Sequence, residues 1–397
     1  MRQVREAYIV AAIRTAVGKR GGVFKDERPD NLLAAVLSGL LKQNPSLPPK
    51  AIDDVIVGCA MQEAEQAFNV ARIALLLAGY PARVPGMTVN RLCASGLQSI
   101  AIAAERICLN QAEVMIAGGV ESMSLIPMTG HKPALNPRIF DDKHIAIAYG
   151  MGTTAENVAK QYNIGREAQD RFALSSHQKA CAAIQQDLFG KEILPYHLDE
   201  TVLDAATTDV ETRKRTVAVD EGARFDTSAE ALDKLKPAFA KDGSVTAGNS
   251  SQMSDGAAAL LICSEAALKR YDLQPMARYV GYAVTGVAPA IMGIGPIYAI
   301  PKVLEQCQIQ KERIEWIELN EAFAAQSLAV IRDLELAPET VNPLGGAIAL
   351  GHPLGASGAI RTATLLHGMQ RNKLHYGMTT MCVGMGMGAA GIFENII

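Results

Sequence analysis

Val89-Asn90-Arg91-Leu92-Cys93-Ala94-Ser95-Gly96 is the stretch on which the reading of this chain turns. A short β-type run, Gly86 to Asn90, precedes the cysteine, and a helix-patterned segment from Leu97 to about Leu109 follows it. A cysteine where a strand stops and a helix starts faces the unpaired N–H groups and the positive end of that helix. That position favours the thiolate, which is the nucleophilic form. Ala94, Ser95 and Gly96 are small enough for a substrate to approach the backbone. Cys93 is therefore read as an acyl-carrying nucleophile, against the plainer alternative of an inert core cysteine.

The flanking sequence alternates strands and helices. Residues 7–13 read as a strand, Leu32 to Lys42 as a helix, and the end of Ile52 to Cys59 as a short buried strand. Asn69 to Leu77 reads as a helix, and Glu113 to Ala117 as a strand that Gly118-Gly119 should end. This alternation predicts an α/β fold with a mostly parallel sheet. From about Met123 to Ser251 the chain becomes charged, with Pro127, Pro133 and Pro137 and helical signals at Thr154–Tyr162 and Arg166–Leu188. It reads as a long insertion over the core, a place where substrate-binding loops concentrate.

The pattern resumes at Asp255 to Ser264, and a second half beginning near Met276 repeats the first. Ala277–Gly281 matches the opening strand, Ile314–Leu319 matches Val55–Gly58, and Val341-Asn342 matches Val89-Asn90. Gly355-Ala356-Ser357-Gly358 opens a helix as Cys93-Ala94-Ser95-Gly96 does, and Met378–Val383 matches Glu113–Ala117. Five matches in order predict a duplication. The expected organisation is residues 1–122 plus 252–275 as one half, 123–251 as a loop domain, and 276–397 as the other half. Two equivalent halves would bring the second set of turns to Cys93.

Composition narrows the function classes. The chain has 397 residues, 49% apolar but only 5% aromatic, which suits tightly packed α/β layers. A net charge of −3 provides no basic field for nucleic acid. Seven scattered cysteines form neither a disulfide framework nor a zinc pattern and suit a reducing compartment. There is no signal-peptide pattern and no long uncharged apolar run, so no membrane span is expected and the cytoplasm is the expected location.

Three further stretches carry chemistry. His352 lies in the Gly-rich Gly345 to Gly355 just before a helix, where a neutral imidazole N–H suits a developing oxyanion. The plainer reading is a satisfied structural histidine. Cys382-Val383-Gly384-Met385-Gly386-Met387-Gly388 exposes backbone N–H groups beside a possible acid/base thiol. The G-x-G-x-x-G that begins at Gly386 is no dinucleotide fingerprint, because no βαβ unit or acidic partner follows it. Asn320, after a strand, is either a helix N-cap or a holder of a water or carbonyl. The polar, turn-rich Ser244 to Gly256 offers hydroxyls and N–H groups to a ligand, or is simply a linker.

Cys93 in its Cys-Ala-Ser-Gly setting, Asn320-Glu321-Ala322-Phe323, Gly351-His352-Pro353-Leu354-Gly355 and Cys382-x-Gly384-x-Gly386 together resemble the four catalytic blocks of the thiolases. The resemblance spans nearly the whole chain and is greatest to the degradative 3-ketoacyl-CoA thiolases of bacterial β-oxidation. It implies a five-layer αβαβα fold of two similar halves with an inserted coenzyme A-binding loop domain. Coenzyme A is then a co-substrate, and no cofactor is permanently bound. The implied roles are Cys93 as acyl carrier, His352 and a water on Asn320 holding an enolate, and Cys382 as acid/base. The N–H groups of Cys93 and Gly384 would hold the tetrahedral oxyanion. The same resemblance places Arg224 near nucleotide phosphates, Phe239, Ala247 and Ser251 along pantetheine, and Met151 and Phe323 beside the substrate. Arg213-Lys214-Arg215 is either a further phosphate contact or a solvated charge run.

One departure bears on substrate. Short-chain acetoacetyl-CoA thiolases carry a histidine where Tyr149-Gly150-Met151 has Gly150, and its loss leaves room for longer acyl chains. The expected activity is thiolysis of 3-ketoacyl-CoA to acetyl-CoA and a shortened acyl-CoA. The alternatives are an acetoacetyl-CoA thiolase, a decarboxylating β-ketoacyl synthase and a non-catalytic lipid-binding relative. The resemblance also implies a homodimer or homotetramer, and in some members a hydratase–dehydrogenase partner.

Overall fold

The computed structural model describes residues 4–141, 150–203 and 210–396; Tyr149 lies outside them. In chain order the first half contains β1 (Ala7–Arg14), β2 (Gly18–Lys19), α1 (Pro29–Gln43), β3 (Asp54–Gly58), α2 (Val70–Leu77), β4 (Gly86–Val89), α3 (Ser95–Cys108) and β5 (Val114–Ser122). Then come α4 (Met151–Gln161), α5 (Arg166–Gln185), the hairpin β6 (Tyr196–Leu203) and β7 (Val210–Val217), and α6 (Ala229–Asp233). β8 (Ser254–Ser264) and α7 (Glu265–Tyr271) follow. The remainder is β9 (Ala277–Gly286), α8 (Gly295–Cys307), β10 (Ile314–Leu319), α9 (Ala324–Asp333), α10 (Ala347–Leu350), α11 (Leu354–Asn372), β11 (Tyr376–Val383) and β12 (Met387–Asn395).

The main sheet is mixed and ten-stranded, in the order β10-β11-β12-β9-β1-β8-β5-β3-β4, with β2 on β8. Its halves mirror one another about the short β1–β9 junction, where only Tyr8 and Ile9 pair with Arg278 and Ala277. Outward from that junction, β8, β5, β3 and β4 correspond to β12, β11, β10 and the isolated bridge Ile317–Val341. α1 and α2 cover the outer face of the first half, α8 covers the second, and α3 and α11 pack together between them. This is the expected five-layer thiolase arrangement.

Two strands extend beyond their sequence-based limits. β5 does not stop at Gly118-Gly119 but runs on to Ser122, antiparallel to β8. A Cβ on Gly119 would strike the Gly355 carbonyl at the start of α11, so the glycine marks close packing and not a turn. β12, for which the sequence reading expects no strand, pairs with β11 and β9 along its length. A Cβ on Gly388 would strike the backbone of Gly295 at the start of α8, so this strand is held by close backbone approach instead of side-chain propensity. Arg213-Lys214-Arg215 lies exposed on β7, with Lys214 in register with Asp199 of β6.

The α4–α5 region packs against α9 and α10, over the turns of the second half. It is also tied to β1 by a buried charge cluster. Arg14 is 1% exposed; its guanidinium donates to Glu192 (2.6 Å) and to both oxygens of Asp220 (2.7 and 2.9 Å), and it lies 5.2 Å above the Phe189 ring. Asp220 also accepts the Val17 N–H (2.8 Å). Arg14→Met leaves two buried carboxylates without their cation and should cost about 3–5 kcal/mol. Urea unfolding measures this, and a wild-type midpoint and slope would contradict it.

Candidate active site

Cys93 sits in a 3-10 turn, Leu92–Ala94, that leads directly into α3. Leu92 has φ +45°, a left-handed conformation that costs a branched residue about 1–3 kcal/mol. Two side chains hold the turn in place. The Asn90 carboxamide accepts the Leu92 N–H (2.7 Å) and donates to the Ala60 carbonyl (2.8 Å). The Ser95 hydroxyl accepts the Arg91 N–H (2.8 Å) and donates to the Leu92 carbonyl (2.7 Å). Cys93 packs, as Met61 also does, against the apolar cluster of Ala60, Met123 and Leu354, and the Gly384 N–H donates to its sulfur.

This environment reverses the expected protonation. Burial pushes the Cys93 thiol up to about 11; the Gly384 N–H pulls the other way, and the Glu121 carboxylate adds to the rise. The helix end does favour a thiolate, but loss of water from an apolar pocket outweighs it. The thiol is therefore raised above its ordinary value, although Cys93 itself keeps partial exposure.

His352 is 5% exposed, and Gly351 ahead of it has φ +95°. The His352 N–H donates to the Gln252 carbonyl (3.0 Å) and the Ser254 hydroxyl (3.1 Å). In the ring, Nδ1 is 2.5 Å from the Ser357 Oγ and Nε2 is 3.4 Å from the Asn320 Nδ2. Burial first, and the Arg361 guanidinium second, push the imidazole down to about 3, so it is neutral. Asn320 is fully buried at the end of β10, and its Oδ1 has no partner. A buried, unpaired acceptor beside a neutral imidazole is the place where a donor such as water fits.

Glu321 braces the same region. Its carboxylate accepts from the Ser176 hydroxyl (2.7 Å), the Asn342 Nδ2 (2.8 Å) and the Ile348 N–H (3.2 Å). Ser176, on α5, also accepts the Gly346 N–H (3.0 Å), so the inserted region holds the loop ahead of His352. Ser357 and Glu321 both stood inside stretches quoted from the sequence, but their partners are distant in the chain. Gln252 lies in the polar Ser244 to Gly256 stretch, whereas Glu121 carries no local signal in the sequence.

Cys382 ends β11 with no exposure, in a cluster with Met151, Ala155, Val245, Met292, Ala322 and Phe323. Burial and the nearby Cys93 both raise its thiol. A Cβ on Gly384 would lie 3.1 Å from Leu92 and 3.7 Å from the Met151 sulfur, so the strand-end glycine lies between the two. Cys93, His352, Asn320, Cys382, Gly384, Met151 and Phe323 are thus drawn together. Phe239 is half exposed, edge-on to Phe323 at 6.2 Å between centroids and against Gly152. Arg224 and Ala247 line a cleft of about 270 Å³ with His177, Leu235, Gln252 and Ile348. The Arg224 N–H donates to His177 (3.1 Å), and the Ser251 N–H donates to the Ala322 carbonyl (3.0 Å). Gln252 joins this cleft to the His352 backbone.

The site can carry an acyl group on sulfur, hold an oxyanion on backbone N–H groups and move protons through an imidazole and a second thiol. Among the described residues no cluster of three or more metal-ligating side chains occurs, and no helix is long and apolar enough to cross a membrane. With the Cys93 thiol near 11, its thiolate fraction keeps rising tenfold per pH unit well above neutrality. Iodoacetamide alkylation of Cys93 in the unliganded protein should therefore accelerate steadily from pH 7 to about pH 10. A plateau near pH 7–8, read by mass spectrometry of the Cys93 peptide, would show an activated thiolate instead.

Comparison with known proteins identifies the family. Residues 7–266 match the N-terminal domain of thiolase and residues 273–395 the C-terminal domain. The chain is 47% identical to a 3-ketoacyl-CoA thiolase of Bacillus subtilis (strain 168), covering 98% of this chain and all of the relative. It is 43% identical to a beta-ketoadipyl-CoA thiolase of Pseudomonas putida, covering 99% of this chain and all of that one. The crystal structure of the Bacillus anthracis acetyl-CoA acetyltransferase superposes over both full chains with a TM-score of 0.90 at 41% identity. Shared sequence and shared fold over the whole chain make it a member of the thiolase family.

Proposed function

We propose that this protein is an acetyl-CoA acyltransferase that cleaves 3-ketoacyl-CoA with coenzyme A, giving acetyl-CoA and a shortened acyl-CoA. The observation that carries the reading is the convergence of the Cys93 thiol, the Gly384 N–H, Cys382 and the neutral His352 beside Asn320. Cys93 attacks the 3-keto carbon, and its proton passes to His352. The N–H groups of Cys93 and Gly384 hold the oxyanion; a single lost donor of this kind costs about 2.7–4 kcal/mol. The bond between the second and third carbons then breaks, and its electron pair stays on the acetyl-CoA fragment as an enolate. His352 and a water on the unpaired Asn320 Oδ1 hold that enolate until Cys382 protonates it. Incoming coenzyme A gives its proton to Cys382; its thiolate attacks the acyl-Cys93 thioester and expels the cysteine sulfur, which is reprotonated. Sequential acid and base work by one thiol suits a group whose pKa burial has raised above neutrality.

Coenzyme A is assigned to the cleft of Arg224 and Ala247, with Ser251 and Phe239 between that cleft and Phe323. The proposal includes no permanently bound cofactor and a cytoplasmic location. Residues 1–122 plus 252–275, 123–251 and 276–397 are taken as the first half, the coenzyme A-binding loop domain and the second half. Thiolysis of longer chains is favoured over an acetoacetyl-CoA-specific enzyme because Gly150 precedes Met151 and carries no side chain toward the site. One experiment tests reaction and range together. Mixing the protein with 3-ketoacyl-CoAs of increasing length should leave the matching acyl mass on Cys93, with kcat/KM rising beyond the four-carbon substrate. An adduct on another residue overturns the mechanism; strict preference for four carbons overturns the chain-length assignment.

The proposed assembly is a homodimer or homotetramer. β4 lies at the end of the sheet with one edge unpaired, and Phe68 (95% exposed), Leu76, Leu77 and Met87 stand out beside it. A free strand edge flanked by apolar side chains matches a self-complementary contact with a second copy. A hydratase–dehydrogenase partner is carried over from the family resemblance alone. Light scattering should give at least twice the chain mass, and co-elution with the hydratase–dehydrogenase tests the partner; a monomer at working concentration contradicts the assembly.

A further inference from the structure

Glu121 is a buried charge that the proposed reaction does not use. It lies at the end of β5 with no exposure, and every group around its carboxylate is a donor. Oε2 accepts the N–H groups of Ala60 and Gly355, both at 2.8 Å. Oε1 accepts the Met61 N–H (3.1 Å) and the Gln66 Nε2 (2.7 Å), with the Cys59 sulfur 3.8 Å away. No acceptor is present to receive a carboxylic proton, so these contacts require the anion, although burial alone raises the carboxyl. The donors come from both halves. Ala60, Met61 and Gln66 follow β3, whereas Gly355 is in the first turn of α11, three residues beyond His352.

The two ends of this bridge matter to the site. Ala60 belongs, with Met123 and Leu354, to the apolar wall on which Cys93 and Met61 both pack. The first turn of α11 carries Ser357, whose hydroxyl orients the His352 ring at 2.5 Å. The α11 positive end also favours an anion at Gly355. Helix and wall each have other supports, but among the described residues no other side chain accepts from both.

We propose that Glu121 is a positioning residue for the thiolase reaction. It fixes the start of α11, and through Ser357 the His352 imidazole, against the Ala60–Met61 segment behind Cys93. The inference rests on the reading of Cys93 and His352 given above. Glu121→Gln keeps the shape and removes the anion, and whichever way the amide turns, its NH₂ meets donors. A displacement of about 1 Å at a reacting group costs up to about 100-fold.

The test is a double-mutant cycle on single-turnover acylation of Cys93 by a 3-ketoacyl-CoA, followed by mass spectrometry. Glu121→Gln should slow acylation about 10- to 100-fold while leaving KM for coenzyme A unchanged. In a His352→Ala background the same change should cost no more than about twofold, because residues acting as a unit are not additive. Equal losses in both backgrounds, or wild-type acylation in folded Glu121→Gln, would overturn the proposal. If Glu121→Gln does not fold, Gln66→Leu removes one donor and keeps the carboxylate. It should give a smaller loss with the same dependence on His352, and wild-type acylation in it overturns the proposal. Cys93→Ser runs alongside; persisting turnover there defeats the reading of the site and the inference with it, whereas lost turnover there beside wild-type acylation in Glu121→Gln defeats the role of Glu121 alone.

Discussion

The start of α3 and the start of α11 meet with almost nothing between their backbones. A Cβ on Gly96 would strike the Gly355 carbonyl and the Ala359 N–H, and one on Gly358 would strike the Leu97 N–H. Because each reactive turn immediately precedes its helix, bringing the two helix starts together also brings Cys93 and His352 together. A single added methyl at this crossing would force the main chains apart. The mirrored sheet halves and the outer helices that pack on them are compatible with only a narrow range of positions once this contact is made.

That crossing has an electrostatic consequence. Two helix beginnings with their positive ends close together repel one another and attract an anion. Glu121 lies beside the α11 start and accepts the Gly355 N–H, while Glu321 accepts the Ile348 N–H a few residues upstream. Each carboxylate is buried and satisfied by donors from distant segments. The reactive groups beside them are neutral instead. The Cys93 and Cys382 thiols are raised, and the His352 imidazole is lowered. Fixed charge holds the frame, and the groups proposed to exchange protons start without charge in a largely buried site.

The elements of the fold were legible wherever side-chain pattern controls backbone. The strand, helix and glycine-rich turn order could be read from residues 7 to 122, and the repeat from 276 onward exposed the duplication. The end of β5 was not legible because Gly118-Gly119 reads as a break, and β12 was not legible because its glycines, Gly388 and Gly391 among them, give it little strand pattern. Their glycines answer to neighbours such as Gly355 and Gly295, hundreds of residues away or on another layer. Glu121 escaped notice for the same reason: a lone acidic residue near a strand end has no local signature, and its donors come from two separate segments.

The sequence by itself determined the family, the duplicated α/β architecture and the identities of Cys93, Asn320, His352 and Cys382. Each sits in a short block whose residue types and spacing are local properties of the chain. Tertiary structure alone decided how these groups are charged. A cysteine before a helix reads locally as a thiolate, yet packing against Ala60, Met123 and Leu354 takes water from it and raises the thiol. It also decided which partner fixes each side chain, as Ser357 does for His352 and Gly384 for the Cys93 sulfur. Burial and long-range contact exist only after the two halves have packed, so no local pattern encodes them.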